Sequence, residues 1–155
     1  MKVYFACSIK GGGDTSSYIG IVEAIKRAGG EVISEIFVQD AIQLGGSPLP
    51  ADQIYQRDIE MITTADLVVA EVTNPSLGVG YELAYAEKLR KPILCLFDKN
   101  ATNKLSAMVL GNGYNTIAYF TPTTIHAIVA EFIAQSSPPQ ILQKRTDHER
   151  IPATQ

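Results

Sequence analysis

The sequence holds only two cysteines and two histidines in 155 residues, no long apolar run and no excess of basic charge. Each scarcity excludes a class of protein. Cys7 and Cys95 lie in separate apolar runs and form neither a CxxC pair nor a disulfide framework, which points to a reducing compartment. His126 and His148 stand apart from each other and from both thiols, so no metal-ligand cluster is expected. A membrane span needs about 20 consecutive apolar residues, and none is present. The opening run, residues 1–6, is too short for the apolar part of a secretory leader. A net charge of −3 offers no basic face to a phosphate backbone. The expectation is a soluble, cytoplasmic protein with no metal, cofactor, nucleic acid or membrane among its partners.

What is present is an apolar fraction of 46%, enough to build the core of one domain. Five short runs rich in apolar, β-branched and aromatic residues predict strands over 3–7, 31–38, 67–72, 93–97 and 116–120. Helical spacing of apolar residues predicts helices over 16–28, 52–64, 79–90 and 123–134. Gly29-Gly30 and Pro92 supply stop signals for the first and third of these. Strands alternating with helices predict a three-layer α/β fold, a flavodoxin-like, doubly wound, five-stranded parallel sheet in the order 2-1-3-4-5. Residues 39–51, with Gly45, Gly46, Pro48 and Pro50, read as a long loop. Residues 1–135 are expected to form the catalytic domain, and residues 136–155 a polar tail that is disordered or packs on a partner.

In such a sheet the ligand site lies beyond the carboxyl ends of the strands, where the strand order reverses. That places a crevice between the first and third strands, bordered by two polar, glycine-rich links. One runs from Ser8 through Lys10 and Gly11 to Gly13. The other runs from Thr73 through Ser76 and Gly78 to Gly80. Both lead into helices, whose free backbone N–H groups favour an anion. Neither has the spacing of a P-loop or of a dinucleotide fingerprint. Alone, each glycine run equally describes a plain turn.

Two carboxylates sharpen the picture. Glu82 shares a helical stripe with Val79, Ala86 and Leu89, at the end that opens on the crevice. It is either a first-turn acid favoured by the helix dipole or an ionised nucleophile. Asp58 lies on the stripe of Ile54 and Ile62, where a charge needs a partner or a task. It either forms a salt bridge, with Lys10 or with Arg57 of another chain, or faces the crevice beside Glu82. Two carboxylates flanking a glycosidic bond are the usual equipment for glycosyl transfer. Tyr4 opens the first strand and fits either the core or the crevice. Ser106 fits the cap of a short helix. Glu60 belongs on a solvated face. Cys7 has no histidine to activate it and reads as a core thiol.

Four blocks in order carry a family resemblance across residues 3–111. The strongest is ADLVVAEVTNPSLGVGYEL over residues 65–83, supported by YFACSIKGG at 4–12 with DIE at 58–60, by ILCLF at 93–97 and by LSAM at 105–108. The chain resembles the 2′-deoxynucleoside 5′-phosphate N-hydrolases, a branch of the nucleoside 2-deoxyribosyltransferase-like superfamily. The resemblance implies that Glu82 attacks the anomeric carbon and forms a glycosyl-enzyme intermediate. It implies that Asp58 handles a proton near sugar and base, and that Tyr4 orients the catalytic carboxylate. Ser8, Ser76 and Gly78 would hold the 5′-phosphate, with Lys10 and Gly11 in the same pocket. Ser106 would reach that phosphate from the neighbouring subunit of a homodimer. Mammalian members carry arginine where Lys10 stands and glycine where Cys7 stands, differences that bear on substrate choice. The substrate expected is a nucleoside 5′-monophosphate, with base and 2′ preference open. A deoxyribosyltransferase that passes the sugar to a second base, and a nucleotide-binding module without turnover, are the alternatives.

Overall fold

Strands buried on both faces need apolar side chains at every position, and the runs along this chain supply them. The computed structural model describes residues 1–9, 14–44 and 47–136. Strands β1 (Lys2–Ala6), β2 (Glu31–Val32), β3 (Leu67–Glu71), β4 (Ile93–Asp98) and β5 (Thr116–Phe120) pair in parallel, in the order β2-β1-β3-β4-β5. The expected order is therefore observed, and the reversal falls between β1 and β3, where Tyr4 stands opposite Val68 and Ala6 opposite Ala70.

Among the described residues six helices accompany the sheet: α1 (Thr15–Arg27), α2 (Glu35–Leu44), α3 (Ala51–Thr64), α4 (Leu77–Lys88), α5 (Ala107–Leu110) and α6 (Ile125–Ser136). Alternate residues of each strand face opposite layers. Val3, Phe5, Val69 and Leu96 pack with Ile21 and Ile25 of α1 and Val129 of α6. Tyr4, Ala6, Val68 and Cys95 pack with Ile62 of α3 and with Val79 and Leu83 of α4. The first helix starts where Asp14 accepts the Ser16 N–H at 3.0 Å. It stops at Gly29, whose φ of +84° suits a residue without a Cβ. A Cβ on Gly30 would meet Ile25 Cγ2 at 2.6 Å, so close packing of this turn on the helix it follows requires glycine there.

The segment after β2 corrects two expectations. The strand expected over 31–38 is two residues long, and residues 39–44 of the expected loop are helical. Ser34 ends the strand. Its Oγ accepts the Phe5 N–H at 2.9 Å and donates to the Phe5 carbonyl at 3.0 Å, doing with a side chain what the ladder would do with backbone. The Ser34 carbonyl then accepts the N–H groups of Phe37 and Val38 and opens α2. Val38 and Ile42, four apart, turn towards the α1 layer. Residues 45–46 and the tail from residue 137 onward lie outside the described residues.

Candidate active site

The β1–β3 reversal opens into a cavity of about 330 Å³ that holds Tyr4, Cys7, Arg57, Asp58, Ser76, Gly78 and Glu82. Three sources of order bring them together. Tyr4 comes from the middle of β1, with its body in the core and its hydroxyl towards α4. Asp58 comes from the middle of α3. Ser76, Gly78 and Glu82 come from the start of α4, which β3 aims at the crevice.

The Tyr4 hydroxyl donates to Glu82 Oε1 at 3.0 Å. Glu82 Oε2 makes no hydrogen bond among the described residues. Burial pushes the Glu82 carboxyl up to about 7, and the nearby charge of Asp58 pushes the same way. The Tyr4 hydrogen bond and the Arg57 charge oppose that rise. Tyr4 itself is driven far above the ordinary phenol range, by burial first and then by Glu82 and Asp58, so it stays a donor. Burial also raises Asp58, with its ion pair to Arg57 acting against the rise. The bridge to Asp58 thus comes from Arg57 of the same chain, at 2.8 Å, and not from another chain. Glu60 is exposed and accepts from Gln56.

Ser76 caps α4 and its Oγ faces the Val79 N–H at 3.4 Å. Helix α4 starts at Leu77, two residues before the expected start, so Glu82 falls beyond its first turn; no acidic residue occupies that turn, and the positive end of the helix dipole stays uncompensated. A Cβ at Gly78 would meet nothing nearer than Ser76 Oγ at 3.8 Å. Packing does not demand glycine there. Its absence of side chain leaves the helix start open to the cavity. The arrangement presents an anion-accepting helix start, a tyrosine-bonded carboxylate and a second carboxylate to one ligand.

Other expected residues sit elsewhere. Ser8 is buried, and its carbonyl accepts the Tyr18 hydroxyl at 2.7 Å; it does not line this cavity. Ser106 stands at the start of α5 without a side-chain cap bond. It lines a second cavity of about 560 Å³, between α4 and α5, which adjoins the first at Ser76 and Val79. Lys10 and Gly11 lie outside the described residues. Burial first, and then the charges of Glu82 and Glu71, push the Cys7 thiol up to about 12, which matches an inert thiol. Phe37, Ile54 and Met61 complete the apolar wall. The sequence reading missed Phe37 because it assigned that residue to a strand.

Fold and site together define an α/β protein with paired carboxylates at its topological switch point. The chain belongs to the nucleoside 2-deoxyribosyltransferase family, whose profile matches residues 3–131. It is 42% identical to a putative 2′-deoxynucleoside 5′-phosphate N-hydrolase 1 of Syntrophotalea carbinolica, over 90% of this chain and 99% of that one. It is 45% identical to the 5-hydroxymethyl-dUMP N-hydrolase of Rattus norvegicus, over 71% of this chain and 69% of that one. A solved CMP N-glycosidase from Clostridium botulinum shares the fold, with a TM-score of 0.57 and 18% identity, over 87% of this chain and 99% of that one.

Proposed function

We propose that the protein hydrolyses the N-glycosidic bond of (2′-deoxy)nucleoside 5′-monophosphates, with Glu82 as nucleophile. The observation that carries this is the Tyr4–Glu82 hydrogen bond in a cavity shared with Asp58 and the open start of α4. The 5′-phosphate binds at Ser76 and Gly78, where backbone N–H groups and the helix dipole meet it. Lys10 and Gly11 complete the phosphate pocket by family resemblance, which also assigns Ser8 to it although Ser8 is buried and does not line the cavity. Glu82 attacks C1′ as the C1′–N bond breaks, its electron pair leaving with the base. Asp58 gives that base a proton. Water then attacks C1′ and gives one proton back to Asp58, while the C1′–O bond to Glu82 breaks, which returns the carboxylate and releases the sugar 5-phosphate. The fixed, neutral Tyr4 hydroxyl orients Glu82 and leaves Oε2 to react.

The decisive experiment incubates the protein with deoxy- and ribonucleoside 5′-monophosphates and with the unphosphorylated nucleosides, following free base by chromatography. Base released from the 5′-phosphates alone is expected. Base exchange on adding a second base would instead support a transferase. Binding without release would make the protein a nucleotide-binding module.

We further propose a homodimer in which Ser106 reaches the partner's phosphate pocket. Leu77 is 97% exposed and Met108 84% exposed, and both line the cavity between α4 and α5 that also holds Ser106. Monomers seldom leave such an apolar cluster to water. Met108→Asp is expected to shift sedimentation from dimer to monomer and to lower activity with it. An unchanged dimer would place the interface elsewhere. The free thiols Cys7 and Cys95 suit a reducing, cytoplasmic setting. Among the described residues no helix is long and apolar enough to cross a membrane.

A further inference from the structure

Neighbouring residues on a helix point about 100° apart and do not ordinarily meet. Arg57 and Asp58 nevertheless meet. Arg57 Nε and Nη2 both reach Asp58 Oδ1 at 2.8 Å. The guanidinium can stay folded back in this way because Phe37 of α2 supports it, with Cζ 4.3 Å from the ring centroid. Both side chains are about four-fifths buried, at 20% and 19% exposure, and all three residues line the cavity of Glu82. Asp58 Oδ2 makes no hydrogen bond among the described residues.

A largely buried ion pair is weak evidence of stability, because the cost of desolvating both charges offsets their attraction. Its value lies in what surrounds it. Two carboxylates in one apolar cavity repel each other and lose hydration, so each resists ionisation in the presence of the other. The charged and titratable groups lining this cavity are Tyr4 and Cys7 from β1 and the residues just after it, Arg57 and Asp58 from α3, and Glu82 from α4. Among these described residues Arg57 is the one cation.

We propose that Arg57, stacked on Phe37, is a positioning residue for this site: it holds Asp58 through Oδ1, leaving Oδ2 to carry the proton given to the base, and its positive charge favours the ionised form of Glu82 in the same cavity. Arginine suits the task because its flat, permanently charged fork both stacks and bonds, whereas lysine offers a point charge alone. The inference deepens the hydrolase reading and rests on it for its kinetic consequences only.

Two measurements separate the inference from that reading. In the ligand-free protein, carboxyl carbons are titrated by NMR in the wild type, Arg57→Gln and Arg57→Lys. With Arg57→Gln, Glu82 and Asp58 are expected to titrate about one pH unit higher, and with Arg57→Lys by a smaller amount. In the base-release assay, Arg57→Gln is expected to move the acid limb of kcat/KM upward by the same interval. That is about a tenfold loss at pH 6 which shrinks as the pH rises. Phe37→Leu should move the limb in the same direction, because it frees the guanidinium without removing it. Carboxyl titrations unmoved by Arg57→Gln, or a loss of activity equal at every pH, would overturn the inference. A protein that releases no base from any nucleotide overturns the hydrolase reading, and the titration still decides the role of Arg57.

Discussion

Glu82→Gln is expected to reduce base release from nucleoside 5′-monophosphates by ~10³-fold or more, while nucleotide affinity stays within about tenfold. Glutamine keeps the shape of the side chain and can still accept the Tyr4 hydroxyl, so the cavity is preserved. What it lacks is an oxygen able to form an ester with C1′. The same carboxyl governs pH dependence. With its titration raised to about 7, Glu82 is largely protonated at pH 6, and wild-type kcat/KM should fall as pH drops through that region. Stability moves in the opposite sense. The unfolded chain releases this proton near 4.5, the folded chain near 7, so between those values the folded state binds more protons. Stability from this group is complete below the unfolded value and is lost as pH rises through the folded one. Glu82→Gln removes the cost of a buried charge. It should therefore be more stable than the wild type at pH 8, on the order of 2 kcal/mol, with the gain vanishing near pH 4. Thermal melts at both pH values test this. An equal loss of binding and turnover would make Glu82 a binding group.

The sheet was legible because the central strands β3 and β4, covered on both faces, write themselves as apolar runs, and the edge strand β5 keeps β-branched and aromatic residues. Ile93–Asp98 and Thr116–Phe120 differ from expectation by at most one residue. The stretch after Glu31 carried the same composition for another reason. Ile33, Ile36, Phe37 and Val38 look like a strand, yet one serine side chain satisfies the Phe5 backbone and frees the chain to turn into α2. A side-chain bond of that kind leaves no periodicity to read. Glu82 and Asp58 were legible as charges set on apolar stripes. Their partners divide by range. Tyr4 lies 78 residues from Glu82, and their meeting depends on a strand order that the sequence implies. The Arg57–Asp58 contact depends on Phe37, placed by a helix that the sequence hid.

Asp58→Asn is expected to slow base release by ~10²-fold or more, because asparagine cannot give the departing base a proton. The amide oxygen of the substituted side chain would still accept from Arg57, so the fold of α3 and the stacking on Phe37 should survive. Burial raises the Asp58 carboxyl above its ordinary value, and the ion pair with Arg57 acts against that rise. Two readouts distinguish a proton donor from a carboxylate that only shapes the pocket. A nucleotide whose base leaves readily without protonation should recover much of the lost rate in Asp58→Asn and none of it in Glu82→Gln. The acid limb of the variant should also move to lower pH, since the Asp58 charge is one of the causes that raise Glu82. Equal slowing of good and poor leaving groups, with the limb displaced, would leave Asp58 as an electrostatic neighbour of the nucleophile and assign the proton to water. Equal slowing with the limb unmoved would separate the two carboxylates altogether, and with them the account of why they occupy one cavity.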